Sequence, residues 1–433
     1  MERFDSKLMP PRDQIVLVIS RIYRSGLTTT SGGNISMIEE NGDIWVTPAA
    51  VDKGSLTSSD IMQVRSNGEI IGPHKPSSEF PFHRAILQKR KDLKAVIHAH
   101  SPALVAFSIV RQFPNTNLIP QAKDICGDIG YATYELPGSE ALGSSIASEF
   151  AKGHHAVILE NHGVVVGGID LKDAYERFET LEFCARAIIR ARTFGEPKFL
   201  KDSDINRFNS KFASFPPEMD QTDYPADERE IRYTICRMIR RACDQGLMIG
   251  TYGTMSSRWR GNDFLITPRN VTRWNIHPED IVQMKDGKRE KDKLTSRSVL
   301  LHQEIYQRHH DINAIISTQA PNIMAFSVTG KQFEDRTIPE SWILLQDVPL
   351  IPFEEHFSSN EKLSSRISST TPVMIIQNDS ILVTGKNILH AFDRLEVAEF
   401  SAMSILLSAQ LGPMVPINEK QIEDLRKAFR NVI

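Results

Sequence analysis

Three histidines in the first half of the chain have the types and spacing of a metal site. His98 and His100 are one residue apart and follow an apolar run at 95–97. On a β-strand, side chains two residues apart leave the same face. His162 lies in an Asn-His-Gly sequence between two further apolar runs. Three neutral imidazoles bind Zn²⁺ and leave one coordination position open, although a polar strand end and a tight turn would also explain these residues.

A carboxylate and two hydroxyls precede a predicted helix over residues 80–89. Ser77, Ser78 and Glu79 stand directly before that helix, where apolar residues recur at helical spacing. Helix capping by serine, with an acidic residue near the positive end, explains them without any function. The same helix start also suits an anion. Glu79 would then be the carboxylate nearest the metal, able to transfer a proton.

Small and polar residues form a loop ahead of the first predicted strand. Gly33 and Asn34 belong to the sequence Ser-Gly-Gly-Asn-Ile-Ser at 31–36. Backbone amides in such a loop can cradle a phosphate, although most loops of this composition are simple turns. Thr47, which is followed by proline, comes after the next predicted strand and would add a hydroxyl.

The chain also contains a long internal repeat. Thr47-Pro48 recurs as Thr267-Pro268, and the Ala-Phe-Ser sequence at 106–108 recurs at 325–327. A period of about 220 residues indicates a duplicated domain rather than a solenoid. Because helical and strand periodicities alternate within each copy, we predict two tandem α/β domains, each with a central mixed or antiparallel sheet flanked by helices. The predicted boundaries are 1–205 and 227–433, with a linker at 206–226.

The second copy serves as an internal control for the candidate site. Its apolar pattern is retained, but every candidate metal or proton-transfer residue is replaced. The aligned pairs are Glu79 with Ser298, His98 with Ser317, His100 with Gln319, His162 with Asp379, Asn34 with Thr254 and Tyr131 with Leu350. Serine and glutamine are poor zinc ligands beside histidine. We therefore predict one metal site per chain, in the first copy, and a second copy without metal ligands.

In order and spacing, these motifs resemble those of the class II aldolase/adducin family, which includes L-fuculose-phosphate aldolases. The resemblance covers nearly all of the first copy and, more loosely, the second. It implies Zn²⁺, or another divalent metal, bound by His98, His100 and His162, with Glu79 as the catalytic acid/base. The residues that it implies for binding the substrate phosphate are Gly33, Asn34, Thr47, Ser77 and Ser78.

The resemblance also implies a catalytic tyrosine, Tyr131, which the family contributes across a subunit interface as an acid. The sequence leaves open whether Tyr131 acts in its own chain or in a neighbouring one. Two features depart from the family pattern. Ala49-Ala50 replaces the usual Ser-Gly after Thr-Pro, and a functional tyrosine of the family's C-terminal tail has no clear counterpart before the linker.

The resemblance implies a zinc-dependent lyase that cleaves or forms a phosphorylated ketose, or a related sugar acid, through a metal-stabilised enediolate. Two alternatives are an epimerase or decarboxylase of a sugar phosphate on the same scaffold and a non-catalytic, adducin-like assembly protein. The family forms rings, so we expect a homo-oligomer. Two chains with two domains each would form a four-domain ring.

Composition narrows the class of protein further. The chain has 433 residues, a formal net charge of −3 and 40% hydrophobic residues, which is ordinary globular composition. A near-zero charge and the lack of a long apolar run argue against nucleic-acid and membrane partners. Four cysteines without a Cys-x-x-Cys pair favour a cytoplasmic location. The charge-rich segment 285–297 is predicted to be a solvated loop.

Overall fold

The computed structural model describes residues 4–220 and 223–429, which form two compact units. One unit contains the described residues up to Thr116 together with Gln121–Arg186. The other contains Asn117–Pro120 and the described residues from Ala187 onward. Each unit has one eight-stranded sheet with flanking helices, which confirms the predicted fold class. Residues 221 and 222, within the predicted linker, lie outside the described residues.

The first copy of the repeat alternates strands and helices. In chain order its elements are α1 (Pro11–Arg24), β1 (Asn34–Ile38), β2 (Ile44–Val46), β3 (Met62–Val64), β4 (Ile70–Ile71), α2 (Phe80–Lys89), β5 (Ala95–Ala99), α3 (Pro102–Ile109), α4 (Pro120–Cys126), β6 (Ile129–Ala132), α5 (Glu140–Ala151), β7 (Ala156–Leu159), β8 (Gly163–Gly168) and α6 (Leu171–Ala191).

The first sheet has the strand order β4-β3-β2-β1-β5-β8-β7-β6, and only the β6–β7 pair is parallel. A tight turn at Asn41 and Gly42 joins β1 to β2, and the φ of +87° at Gly42 explains why glycine stands there. β5, β7 and β8 are buried along their whole length, which accounts for their unbroken apolar runs. In this strand order β5 lies in the middle of the sheet, between β1 and β8.

The second copy repeats this plan. Its elements are α7 (Asp202–Lys211), α8 (Ala226–Asp244), β9 (Thr254–Arg258), β10 (Phe264–Ile266), β11 (Val282–Lys285), β12 (Lys288–Arg289), α9 (Val299–Arg308), β13 (Ala314–Thr318), α10 (Ile323–Thr329), α11 (Pro339–Leu345), β14 (Leu350–Ile351), α12 (Asn360–Ser364), β15 (Val373–Ile376), β16 (Ser380–Gly385), α13 (Ile388–Ser408) and α14 (Glu419–Ala428). The strand order is β12-β11-β10-β9-β13-β16-β15-β14.

Strand register supports the repeat alignment at the positions that matter for function. Asn34 pairs with His98 across β1 and β5, and Thr254 pairs with Ser317 across β9 and β13. At the parallel edge of each sheet, Tyr131 pairs with Ile158 and Leu350 pairs with Ile375. The substitutions inferred from the sequence therefore fall at equivalent places in the two folds.

The residues that begin the predicted linker are helical in the structure. Residues 206–211 belong to α7, which lies in the second unit. Phe208 is buried there, with its ring centroid 5.6 Å from that of Phe353 and 5.1 Å from that of His356. This segment is thus packed on the second copy through an aromatic contact.

The predicted solvated loop at 285–297 is confirmed for most of its charged residues, which are exposed, but it is wrong for Glu290 and for a short strand. β12 lies within that segment, and Glu290, which follows it, is 1% exposed. Its carboxylate lies 2.7 Å from Arg232 Nη2 and 2.6 Å from Lys293 Nζ. Glu290 therefore forms a buried ion pair with Arg232, whereas Lys285, Asp286, Lys288, Lys291 and Asp292 remain exposed.

Within residues 4–220 and 223–429, none of the helices has both the length and the apolar character required to cross a bilayer.

A buried histidine of the second copy, His302, predicts a pH dependence of stability. Burial lowers its pKa from 6.5 to about 3. Between these values the unfolded chain binds a proton that the folded chain does not, so the free energy of unfolding falls as the pH falls, by ~1.4 kcal/mol per pH unit for this group. We expect His302→Gln to flatten the slope by about that amount in urea titrations between pH 6.5 and 4. An unchanged slope would contradict this.

Candidate active site

The three predicted histidines converge at the end of β5. His98 is the next-to-last residue of that strand, His100 follows it, and His162 lies in the turn between β7 and β8. Their ring centroids are 4.7 to 5.0 Å apart. In the part of the chain that the structure describes, these are the one group of three or more His, Cys, Asp or Glu side chains placed to share an ion.

The turn between β7 and β8 directs His162 toward the other two rings. Asn161 adopts φ +52°, a left-handed conformation that asparagine tolerates better than most residues. Ser108 Oγ accepts a hydrogen bond from the His162 backbone N–H at 2.8 Å. A Cβ on Gly163 would lie 2.6 Å from the Ala99 carbonyl oxygen. The Asn-His-Gly sequence is therefore a tight turn that also positions a candidate ligand.

The proton on His98 is placed by the backbone. His98 Nδ1 lies 2.9 Å from the Val164 carbonyl oxygen, so Nδ1–H donates and Nε2 keeps its lone pair. Burial, followed by the nearby His100 and His162, holds the pKa of His98 well below its usual value. Burial also lowers the pKa of His100. Both rings are thus neutral at pH 7, which is the form that binds a metal.

The donor set fits a divalent metal such as zinc. Two ligand atoms at ~2.0–2.1 Å from one tetrahedral Zn²⁺ lie roughly 3.3 Å apart. The Nε2 atoms of His98 and His100 are 2.9 Å apart. Glu79 Oε2 is 3.3 Å from His98 Nε2, and Glu79 Oε1 is 3.3 Å from His162 Nε2. Imidazole nitrogens and one carboxylate at these spacings are the donors that such an ion requires.

Glu79 is held toward the histidines by Asn34. The Asn34 side-chain amide donates to Glu79 Oε2 at 2.7 Å, while Asn34 Oδ1 is hydrogen-bonded to His83 Nε2. His83 Nδ1 in turn lies 2.7 Å from Ser36 Oγ. His83 is fully buried, and burial lowers its pKa to about 3, so the ring is neutral. Asn34, a predicted phosphate ligand, thus has both ends of its carboxamide engaged in this network.

Sequence reasoning assigned no role to Ser36 or to His83. Both residues recur in the second copy, as Ser256 and His302. Ser256 Oγ lies 2.8 Å from His302 Nδ1, so the serine–histidine pair is formed in both copies. The internal repeat therefore contained a signal for this pair, although nothing in the sequence showed that His83 also reaches Asn34.

The predicted phosphate residues occupy two kinds of position. Ser78 is exposed just before α2. Ser77 Oγ accepts a hydrogen bond from the Glu79 N–H at 3.3 Å, in the turn that precedes the helix, and the N-cap residue Glu79 makes no side-chain capping bond. Thr47 is fully buried, and its hydroxyl accepts a hydrogen bond from Ile35 N at 3.1 Å. Thr267 accepts the equivalent bond in the second copy, which indicates that this threonine joins strands in both copies.

Gly33 directly precedes β1 and lies against the backbone of β5 at His98. Its φ is +72°, and an added Cβ would lie 2.9 Å from the His98 carbonyl oxygen. We expect Gly33→Ala to destabilise the chain by about 2 kcal/mol or more, because a backbone clash adds to the cost of the left-handed conformation. Gly26→Ala is the matched control, since Gly26 has φ +67° with nothing within 4 Å. Urea titration measures both, and equal losses would contradict the predicted clash.

Tyr131 is not brought to the histidines of its own chain. β6 lies three strand spacings from β5, or ~14 Å. Register joins Tyr131 to Ile158, Ile158 to Val164 and Val164 to Ala99. Since paired residues share a face and successive residues alternate, Tyr131 and His98 point to opposite faces. The Tyr131 hydroxyl is buried, and among the described residues it has no hydrogen-bond partner.

The second copy presents a different set of side chains at the equivalent place. Ser317, Gln319 and Asp379 stand where the first copy has its three histidines. Asp379 Oδ2 lies 3.2 Å from His356 Nε2, so this carboxylate contacts a histidine of the second copy. Over the described residues, this end of the second sheet has no cluster of side chains arranged to share an ion.

Comparison with known proteins identifies relatives that are about half as long as this chain. A 5-deoxy-D-ribulose 1-phosphate aldolase from Bacillus thuringiensis serovar kurstaki is 32% identical over 212 residues, covering 48% of this chain and 98% of that protein. An L-fuculose phosphate aldolase from Methanocaldococcus jannaschii is 34% identical over 171 residues, covering 40% and 91%. A 3-oxo-tetronate 4-phosphate decarboxylase from Escherichia coli K12 is 31% identical over 196 residues, covering 43% and 92%.

A family model described as the class II aldolase and adducin N-terminal domain matches the chain twice. The two matches span residues 13–189 and 233–406, so together they cover most of the sequence. Each match contains one of the two eight-stranded sheets. The chain therefore belongs to the class II aldolase and adducin N-terminal domain family, and it carries the family's domain in two tandem copies.

Proposed function

We propose that the chain is a metal-dependent class II aldolase, a lyase that cleaves or forms a phosphorylated ketose or a related sugar acid. The observation that carries this proposal is the convergence of three imidazoles with one carboxylate at the end of β5. Glu79 places one oxygen 3.3 Å from His98 and the other 3.3 Å from His162. Similarity to two sugar-phosphate aldolases supports the reaction class.

His98, His100 and His162 would hold the metal, and we propose that it is zinc. When bound there, the metal supplies Lewis-acid stabilisation of the negative charge that develops on the substrate oxygens. The Val164 carbonyl oxygen keeps Nε2 of His98 available by accepting a hydrogen bond from Nδ1–H. The ligands would thus be ready for the metal without a change of tautomer at His98.

Glu79 would transfer the proton. Cleavage breaks the bond between the carbon beside the ketone and the hydroxyl-bearing carbon, releasing an aldehyde and leaving an enediolate that takes up a proton. Asn34 engages Glu79 Oε2 and holds the carboxylate toward the histidines. A positioned carboxylate that exchanges one proton with the reacting carbon is a general acid/base.

The substrate phosphate would lie at the N-terminus of α2. Ser78 is exposed there, Ser77 precedes it, and the helix end carries partial positive charge. Gly33 lies against β5 in the adjacent loop. We propose that these three residues contact the phosphate. Thr47 would support Ser77, because its carbonyl oxygen accepts a hydrogen bond from the Ser77 N–H at 3.1 Å, and Asn34 would support Glu79.

A decarboxylase is the second candidate, because one relative at 31% identity is a 3-oxo-tetronate 4-phosphate decarboxylase. Both reactions break a carbon–carbon bond and leave an enediolate, so the histidines and Glu79 suit either. A panel of ketose phosphates and sugar-acid phosphates distinguishes them. Aldehyde release that disappears on metal removal supports the aldolase, carbon dioxide release supports the decarboxylase, and absence of both together with absence of metal supports an adducin-like role.

We also propose that the protein is a homo-oligomer. Tyr131 lies three strand spacings from the histidines of its own chain and on the opposite face of the sheet, so it would serve the site of a neighbouring chain. In the direction of bond formation, Tyr131 of a neighbouring chain would donate a proton to the aldehyde oxygen. Native mass spectrometry tests the assembly: a dimer would supply four domains to a ring, whereas a fully active monomer would overturn this proposal.

A further inference from the structure

We propose that His83 is a positioning residue for Glu79. In this arrangement the His83 ring fixes the orientation of the Asn34 carboxamide, and Asn34 then holds the Glu79 carboxylate toward the three histidines. The inference rests on the proposed function of Glu79. It assigns a role to a residue of α2 whose ring nitrogens are hydrogen-bonded to Ser36 and Asn34.

The hydrogen bonds can run in only one consistent direction. The Ser36 hydroxyl donates to His83 Nδ1, and His83 Nε2–H donates to Asn34 Oδ1. The Asn34 amide N–H then faces Glu79 Oε2, at 2.7 Å. A rotated Asn34 carboxamide would place its oxygen against the Glu79 carboxylate, which only accepts, and would place its N–H against the His83 Nε2–H, so the ring in this tautomer opposes the rotation.

The hydrogen bonds among Ser36, His83 and Asn34 are buried, so a reversed bond could not be replaced by a bond to water. Ser36 and His83 are fully buried, and Asn34 is 4% exposed. A buried polar group that loses its partner has little access to water in exchange, so each member of the network depends on the next. The orientation of Glu79 therefore depends on a ring that lies two hydrogen bonds away from it.

The equivalent histidine of the second copy, His302, keeps the contact at one ring nitrogen and lacks the contact at the other. His302 keeps the serine contact at Nδ1, with Ser256 Oγ at 2.8 Å, but its Nε2 lies 3.5 Å from Ser317 Oγ. The asparagine and the glutamate are both absent there, replaced by Thr254 and Ser298. The Nδ1 contact thus accompanies the fold in both copies, whereas the Nε2 contact to asparagine accompanies the candidate active site.

Two substitutions at position 83 test the inference because each keeps one end of the ring. His83→Asn places an amide group near the Nδ1 position and can serve Ser36, but it is too short to reach Asn34. His83→Gln places its amide nitrogen near the Nε2 position and can donate to Asn34. His302→Asn is the matched control in the second copy, where no role in the reaction is proposed.

The readouts are the visible absorption spectrum of the Co²⁺-loaded protein, and kcat and KM on the best substrate of the panel. We expect His83→Asn to alter the Co²⁺ spectrum and to lower kcat by ~10–100-fold with KM within about twofold, as losses of outer-shell partners do. We expect His83→Gln to restore the spectrum and most of kcat. His302→Asn is expected to leave both unchanged, even where it lowers thermal stability.

A purely structural role for His83 predicts the reverse order, with His83→Asn active and His83→Gln impaired, and that result would overturn the inference. Equal effects of His83→Asn and His302→Asn would also overturn it. A wild-type protein that binds Co²⁺ but turns over no substrate would refute the proposed reaction, while the Co²⁺ spectra of the variants would still decide the role of His83. A wild-type protein that binds no Co²⁺ would overturn both.

Discussion

His98→Ala should remove the metal and reduce turnover by ~10³-fold or more. His98 is the most buried of the three histidines, and its Nε2 is close to both His100 and Glu79. Its loss leaves two imidazoles, fewer than the three protein ligands that catalytic zinc sites use. Metal analysis of purified protein should fall from about one ion per chain to nearly none, and aldehyde release should fall with it.

Ser317→Ala is the matched control for this result. Ser317 occupies the position of His98 in the second copy, where Thr254 rather than asparagine pairs with it. The substitution should leave the metal content and turnover unchanged. Retained metal and activity in His98→Ala would contradict the assignment of the site, and loss of metal in Ser317→Ala would show that the second copy contributes to it.

Glu79→Gln should keep the metal and lower kcat by ~10²–10⁴-fold. The amide has nearly the shape of the carboxylate, and its oxygen can still accept the hydrogen bond from Asn34. It cannot exchange a proton at neutral pH, so the step assigned to Glu79 would fail while the three imidazoles remain. Metal analysis and single-turnover kinetics on the same preparation separate these two effects.

The contrast with His98→Ala makes this prediction specific. One variant should lose the metal together with activity, and the other should lose activity alone. Full turnover by Glu79→Gln would exclude its role in proton transfer. Ser298→Ala, at the aligned position of the second copy, should change neither quantity.

The features that the sequence predicted correctly are mostly local. The His98 and His100 spacing indicates one face of a strand, and the structure places these rings together at the end of β5. The helix over 80–89 is α2 with the same bounds. The internal repeat predicted two sheets of one topology, because apolar periodicity is inherited with the fold even where a site is lost.

The features that sequence reasoning missed depend on contacts between distant segments. Asn34 and His83 are hydrogen-bonded across 49 positions of the chain. Glu290 lies in a charged segment that resembles a loop, but its ion pair with Arg232 allows it to be buried. Neither contact has a local signature, because period and composition describe a segment without its neighbours.

The second copy clarifies what the first one requires for function. Thr47 and Thr267 make equivalent hydrogen bonds, so that threonine belongs to the fold. The three histidines, Glu79 and Asn34 are absent from the second copy although its sheet is intact. Because these residues are replaced in the second copy without any change of sheet topology, the fold does not require them. We therefore expect them to serve the reaction.

The most direct test of this account is an anomalous diffraction map of the native protein, collected at the zinc absorption edge. We expect one strong peak per chain, within bonding distance of Nε2 of His98, His100 and His162, and none at Ser317 and Gln319. A map with no peak among the three histidines, or with a peak in the second copy instead, would contradict it.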